Sequence, residues 1–358
     1  MAEFAEIGRR LLAWWDAGHA DLPWRGRRDP YAIWVAEIML QQTQVATVIP
    51  YYERWLAHFP TLADLAAADL DEVLKLWEGL GYYARARNLQ AAARTVAERH
   101  GGRLPSSARE LARLKGIGPY TAGAIASIAF DQPAPILDGN VIRVLTRLFD
   151  LKGNVATAAT RRRLWQLAEE ALPESRPGDF NQALMELGQR ICLPAAPRCL
   201  LCPLAELCLA RQRGTELERP VRPPRKRPPH HDVSAGVIWD SAGRLLVTRR
   251  PARGLLGGLW DFPGGRCEPG ESPAGALRRE ISEQLGLEIQ VGPQLAIIPH
   301  AYTHFRVSLY VFEAQALSPG PGADDAPAHA WLAPAELAAY AFPATGRKIA
   351  SLLAAGKP

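Results

Sequence analysis

Four of the five cysteines fall within seventeen residues, spaced Cys192-x6-Cys199-x2-Cys202-x5-Cys208. A random scatter would put about a quarter of one cysteine in such a window, so the cluster marks a metal site, not a disulfide scaffold. Zinc sites usually pair two tight C-x2-C knuckles or add histidines. Here there is one tight pair and no histidine nearby. Four thiolates on unequal loops can instead wrap a cubic cluster of four irons and four sulfides, with structural zinc as the alternative. The fifth, Cys267, reads as a small buried residue or an idle thiol.

Two carboxylates stand in positions that suit acid chemistry. Glu37 is the lone acid in Ile33-Trp-Val-Ala-Glu-Ile-Met-Leu-Gln-Gln-Thr-Gln-Val45. Burial in so apolar a helix would raise its pKa and let it donate a proton near neutrality. Gln41 lies one turn later on the same face. Asp138, in Ile136-Leu-Asp-Gly-Asn-Val141, reads as the N-cap of a following helix, where a carboxylate stays ionised and can face a developing positive charge. One acid kept protonated and one kept ionised form the pair used to cleave glycosidic bonds.

Two further motifs bind phosphate in other contexts. In Leu114-Lys-Gly-Ile-Gly-Pro-Tyr120, Gly116 and Gly118 allow positive φ in a tight hairpin. The amides opening the second helix can then hold a backbone phosphate, although a plain helix–helix turn has the same outline. Further on, Gly265-x5-Glu271-x7-Arg279-Glu280-Ile281-x-Glu283-Gln284-x-Gly286-Leu287 resembles the Nudix box, which implies helix acids that hold magnesium against a diphosphate; by spacing alone Glu280 and Glu283 share one helix face and could bind a cation weakly or simply face solvent.

The elements that position these residues divide in two. Apolar residues recur at three and four positions through residues 1–213, as in Phe4, Ile7, Leu11, Leu12 and Trp15, which predicts an all-α domain. Residues 214–231 predict an extended linker, because five of the eleven residues from Arg219 to Pro229 are proline and five are basic. Beyond it the period changes. Val233–Trp239, Arg244–Arg249 and Phe305–Ala314 read as strands around one helix, Pro273–Leu285, giving an α+β domain over 232–345.

Composition narrows the classes. With 48% hydrophobic and 22% charged residues among 358, the chain has the make-up of a folded protein with two cores. The net charge of +5 hints mildly at a polyanionic partner. No apolar run is long enough to span a membrane and the first ten residues carry no secretory pattern, so a cytoplasmic location is expected.

These motifs together resemble the MutY family of adenine DNA glycosylases, within the endonuclease III or helix–hairpin–helix superfamily. The resemblance runs in order through Trp34–Val45, Gly79-Leu-Gly-Tyr-Tyr-Ala-Arg-Ala-Arg-Asn88, the hairpin, Asp138-Gly-Asn and the cysteines. It implies an all-α glycosylase domain with a [4Fe-4S] cluster on Cys192, Cys199, Cys202 and Cys208, followed by a Nudix-like domain. It implies removal, by base flipping, of adenine mispaired with 8-oxoguanine or guanine in double-stranded DNA. Glu37 would protonate the adenine and Asp138 would stabilise the sugar cation. Gln41 and Gln42 would probe the opened stack, and Trp24, Arg25, Leu40 and Glu186 would line the flipped base. The strand-cleaving relatives carry a lysine where this chain has Tyr120, so a monofunctional enzyme is implied; a monomer is expected. Gln284 stands where the Nudix family has a glutamate ligand, which weakens the case for nucleotide hydrolysis. Tyr302-Thr303-His304 resembles the family's Phe-Ser-His lesion-recognition loop, and Thr303 and His304 would contact the 8-oxoguanine. The rival readings are added Nudix pyrophosphatase activity, or a non-catalytic iron–sulfur DNA-binding protein.

Overall fold

The computed structural model describes residues 2–224, 227–252, 254–317 and 328–355. Two compact units emerge, Met1–Ala67 with Asn88–Arg225, and Ala68–Arg87 with Lys226–Pro358.

The first unit is helical, as the periodicity predicts. Its helix Pro30–Leu40 starts from Asp29, whose carboxylate accepts from the amides of Tyr31 and Ala32, with Pro30 pre-set for the first turn. Every residue from Tyr31 to Met39 is buried, so this helix is covered on all sides. Helices Pro119–Phe130, Gly139–Leu148 and Pro177–Arg190 pack around it or one another. The accompanying core holds Ile7, Leu11, Trp15, Val141, Leu145, Phe180 and Leu184.

The predicted linker is only partly a linker. Glu216–Glu218 forms a turn of 3-10 helix, and Arg219 is buried with its Nε 2.8 Å from the Asp150 carboxylate. Val221 accepts from the Val155 amide at 3.0 Å, so residues 216–221 belong to the helical unit. A buried Asp150 holding Arg213 and Arg219 outweighs the extended preference of the prolines. Residues 225 and 226 of that stretch lie outside the described residues.

Among the described residues the second unit is built on seven strands: β1 (His230–Trp239), β2 (Leu245–Arg249), β3 (Trp260–Asp261), β4 (Gly264–Arg266), β5 (Ile289–Ala301), β6 (Arg306–Ala316) and β7 (His329–Leu332). They form a mixed sheet in which β1 runs parallel to β6 while β5 and β6 make a long antiparallel pair. Helix Pro273–Leu285, with bounds as predicted, packs Leu277 and Ile281 on one face against Ile238 and Phe312. A second helix, Ala344–Ala354, packs Ile349 and Ala350 against a core that includes Val237 and Val247. The expected boundary at 345 therefore cuts through an element of this unit.

The larger departure concerns residues 68–87, expected in the all-α domain but packed with the C-terminal unit. Glu78 accepts from Arg347 Nε at 2.6 Å, Tyr83 donates to the Phe342 carbonyl at 3.1 Å, and Lys75 reaches the Tyr340 carbonyl at 3.2 Å. The helix Leu70–Trp77 still has a helical period; the period does not say which core receives it.

Candidate active site

Glu37 sits in the fully covered helix Pro30–Leu40 and is only 5% exposed. Burial pushes its pKa up to about 7; the hydrogen bond from Tyr120 opposes the rise and the nearby Asp138 charge adds to it. Tyr120 donates to Glu37 Oε2 at 2.8 Å, and its hydroxyl oxygen lies 3.1 Å from Met185 Sδ. Burial, with the charges of Glu37 and Asp138, holds the phenol well above its ordinary value, so it remains a donor.

Tyr120 is delivered by the hairpin between Ala108–Leu111 and Pro119–Phe130. Gly116 takes φ 82°, and a Cβ there would meet the Asn88 Cβ at 2.7 Å, so glycine is required. Gly118 departs from the expectation. It caps the Pro119–Phe130 helix with φ −86°, extended backbone that any residue adopts. As the N-cap, Gly118 has no side chain with which to accept from the first amides of that helix.

Asp138 is the predicted N-cap of helix Gly139–Leu148, accepting from the Val141 amide at 2.7 Å and from Asn140 Nδ2 at 2.9 Å. Its ionisation is less assured than a helix N-terminus implies. Burial raises its pKa, and the bonds from Val141 and Asn140 only partly offset that. Arg143 on the same helix donates to Asn140 Oδ1 at 2.8 Å and to the Cys192 carbonyl at 2.7 Å.

These carboxylates open on one cavity of about 370 Å³, and Trp24, Arg25, Leu40 and Tyr120 line it with them. Glu186 does not line it. Its carboxylate is buried behind Arg25, with which it forms an ion pair, and also accepts from the Ala20 amide at 2.9 Å and Arg190 at 2.6 Å. Burial would raise its pKa, but the bonds from Arg190, Ala20 and Arg25 outweigh it and hold Glu186 below the usual value. Arg25 also stacks over Trp15 at 4.6 Å. Gln41 and Gln42 are absent from the wall too. Gln41 donates to Thr121 Oγ1 at 3.0 Å, and the exposed Gln42 takes φ 60°. Gln182, Gln189, Thr43 and Gln44 are further polar lining of the cavity, of which only the spacing of Gln182 and Gln189 on one helix is a signal in the sequence.

Cys192, Cys199, Cys202 and Cys208 line a second, small cavity of about 30 Å³. Among the described residues no three His, Cys, Asp or Glu side chains are grouped to hold a single metal ion. Burial pushes the Cys202 thiol up to about 12, and Cys199 and Cys208 are raised for the same reason. Deprotonating such thiols calls for a compensating positive charge, which the irons of a cluster supply. Arg147, buried on the same helix as Asp138's cap, donates toward Cys192 Sγ at 3.3 Å and to the Leu193 carbonyl at 2.7 Å. What fits a cluster held by four thiolates is the donor set itself, four cysteine side chains lining one cavity.

In the second unit, Tyr302, Thr303 and His304 form the turn between β5 and β6, closed by the Tyr302 amide on the Phe305 carbonyl at 2.9 Å. Thr303 and His304 are exposed. The Thr303 hydroxyl meets that of Tyr82, an exposed residue with φ 47° to which no motif in the sequence assigns a role. Glu280 and Glu283 on helix Pro273–Leu285, and Glu271 just before it, are already engaged. Arg279 donates to Glu271, Glu280 and Glu283 at 3.0, 3.1 and 3.2 Å, and Gln284 donates to Glu280.

The chain matches the HhH-GPD superfamily base excision DNA repair protein family over residues 35–170 and the NUDIX domain family over 234–352. An adenine DNA glycosylase of Rattus norvegicus is 40% identical, aligned over 93% of this chain and 75% of the relative. That of Homo sapiens is 38% identical over 98% and 74%. Among solved structures, a thermostable thymine-DNA glycosylase superposes with TM-score 0.55 at 30% identity, covering 59% of this chain and 98% of its own. A trapped endonuclease III–DNA covalent intermediate superposes with TM-score 0.50 at 24% identity, covering 58% and 95%, a likeness of fold.

Proposed function

The chain belongs to the adenine DNA glycosylases, and from that premise we propose that it excises adenine mispaired with 8-oxoguanine or guanine from duplex DNA. The observation that carries the reading is the Glu37–Tyr120 bond of 2.8 Å inside a cavity that Asp138 also lines. The adenine must leave the stack to reach such a cavity, at a cost of a few kcal/mol. Trp24, Leu40 and Arg25 then surround the flipped base, while Glu186 acts through Arg25, holding its guanidinium in place.

Glu37, half-protonated near pH 7, gives its proton to the adenine as the glycosidic bond breaks. Tyr120 keeps its own proton and orients the carboxyl. Asp138 faces the positive charge that develops on the sugar. The ionised carboxylate answers that charge in the transition state more strongly than in the ground state, so its upward shift disfavours it in the resting site without removing its role. Water completes the hydrolysis. Tyr120 has no amine with which to form a Schiff base, so the enzyme is monofunctional.

The four cysteines would hold a [4Fe-4S] cluster that stiffens residues 192–208 next to the Gly139–Leu148 helix. The hairpin amides around Gly116 and Gly118 would hold a DNA phosphate. In the second unit, Thr303 and His304 would read 8-oxoguanine. Normal guanine offers an acceptor at N7 while the oxidised base carries a hydrogen there, which the Thr303 hydroxyl can accept. Tyr82 joins that site through its bond to Thr303. Arg279 and Gln284 already satisfy the Nudix acids, which favours recognition over hydrolysis. The protein works as a cytoplasmic monomer.

The test presents purified protein with duplexes carrying adenine opposite 8-oxoguanine, guanine, cytosine or thymine. Alkali-labile sites are expected with the first two and hardly at all with the last two. Equal cleavage of all four would refute the mismatch reading, and borohydride trapping of a stoichiometric adduct would refute the monofunctional one.

A further inference from the structure

Met185 stands in the wall of the adenine cavity with its thioether sulfur 3.1 Å from the Tyr120 hydroxyl oxygen, and that hydroxyl donates its one proton to Glu37. The chain has three methionines. Met39 is fully buried inside helix Pro30–Leu40 and Met1 is terminal, whereas Met185 is half-buried on an open cavity. A thioether is a weak acceptor, so in the reduced protein Glu37 wins the tyrosine proton.

We propose that Met185 is a peroxide-reactive modification site, and that its oxidation to the sulfoxide disarms the Glu37–Tyr120 pair; this rests on reading the cavity as the excision site. In the step, a sulfur lone pair attacks one peroxide oxygen and the O–O bond breaks. The departing hydroxide takes the proton left on the transferred oxygen. Sulfur loses two electrons, and hydrogen peroxide is reduced to one water. The product carries a strongly accepting, polar oxygen where a soft apolar atom stood. Tyr120 has a single proton and cannot serve both acceptors. Turned to the sulfoxide, it leaves Glu37 without the hydrogen bond that opposes burial. The ionisable groups facing Glu37 are Tyr120 from helix Pro119–Phe130 and Asp138 from the N-terminus of Gly139–Leu148, with Arg25 on the same cavity from the segment before Pro30. Losing the tyrosine bond raises the Glu37 pKa further, since that bond lowers it, so the carboxyl keeps its proton; the activity falls because Tyr120 no longer orients that carboxyl toward the adenine. The adenine-facing wall gains a dipole at the same time. Because methionine sulfoxide is reducible, the lesion is reversible.

The experiment titrates the full-length, cluster-loaded protein and its Met185→Leu variant with hydrogen peroxide. Single-turnover excision of adenine opposite 8-oxoguanine, peptide mass spectrometry of Met185 and Met39, and the cluster's visible absorbance are followed together. Wild-type activity should fall in step with Met185 sulfoxide, by about tenfold or more at completion. The alkaline limb of its pH profile should move to higher pH, and methionine sulfoxide reductases should restore both. Met185→Leu should keep its own starting rate over the same range. Three outcomes overturn the proposal alone: equal loss in both proteins, a fully oxidised Met185 with the rate within about twofold of untreated, or an unmodified Met185 at doses that bleach the cluster. Untreated protein inert on this duplex would instead overturn the reading of the cavity, and the proposal with it.

Discussion

Arg143 binds the Cys192 carbonyl from Nε at 2.7 Å and Asn140 Oδ1 from its other arm at 2.8 Å, so one guanidinium joins the cysteine loop to the residue that orients Asp138. It also donates to the Gly188 carbonyl at 2.7 Å. Replacement by glutamine would leave buried carbonyls unpaired, at about 1–3 kcal/mol each. Arg143→Gln should lose at least about tenfold in single-turnover excision, with a smaller loss of DNA affinity. Equal losses in both would mean that Arg143 supports binding and not the orientation of Asp138.

Glu37→Gln and Asp138→Asn should each reduce excision by about 10²–10⁴ or more while leaving DNA affinity nearly intact. Asparagine caps a helix as well as aspartate does, so Asp138→Asn keeps its bond to the Val141 amide and the helix with it. That makes a loss of activity readable as chemistry. Gel-shift affinity alongside single-turnover rates separates the two, and a variant within about tenfold of wild type would refute its assigned role.

The position of Glu37 was legible because a single acid among Ile33, Trp34, Val35, Ile38 and Met39 has few reasons to be there. Asp138 was legible because Asp-Gly-Asn before an apolar period is an N-cap. What the sequence could not convey is which distant groups meet. Glu186 has the same spacing in its helix whether it faces a base or an arginine; only the fold brings Arg25 in front of it. Residues 70–77 have an amphipathic period that suits either core, and Glu78 meets Arg347 across 269 positions of chain. Tyr82 owes its place to a left-handed backbone at a non-glycine residue, for which a run of Gly-Leu-Gly-Tyr-Tyr gives no sign.

Excision should fall as pH rises through about 7, the pKa to which burial lifts Glu37, because the ionised carboxylate has no proton to give. Stability follows the same group with a defined sign. A carboxyl at 4.5 when unfolded and about 7 when folded binds more protons in the native state between those values. Its contribution is complete below 4.5 and is lost as pH rises to about 7. Glu37→Gln should therefore gain in Tm relative to wild type on going from pH 5 to pH 8, by thermal denaturation in matched salt. An unchanged difference would place the carboxyl in contact with water.

The purified protein should be brown and hold about four irons with as many sulfides. Cys199→Ser or Cys202→Ser should lose them and expose residues 192–208 to protease, since two short 3-10 turns are the only regular structure between Cys199 and Cys208. Metal analysis and limited proteolysis check both. Colourless, active protein with one zinc per chain would overturn the cluster while leaving the excision chemistry standing.

The last prediction concerns the β5–β6 turn. Thr303 and His304 are exposed, and the Thr303 hydroxyl is held by Tyr82 within the same unit. Thr303→Val with His304→Ala removes the acceptor that distinguishes the N7 hydrogen of 8-oxoguanine from the bare N7 of guanine. The preference for the oxidised partner should fall by about tenfold, the worth of one hydrogen bond to a neutral group, while excision opposite guanine survives. Tyr82→Phe provides the control on the other side of the bond. It keeps the ring and frees the Thr303 hydroxyl, so it should move the preference less than the double variant does. The helix acids predict the companion result. With Glu280 bound by both Arg279 and Gln284, the full chain should release no pyrophosphate from 8-oxo-dGTP in magnesium. Brisk release, or a preference unmoved by the double variant, would return the Nudix-like unit to nucleotide chemistry and take lesion reading away from this turn.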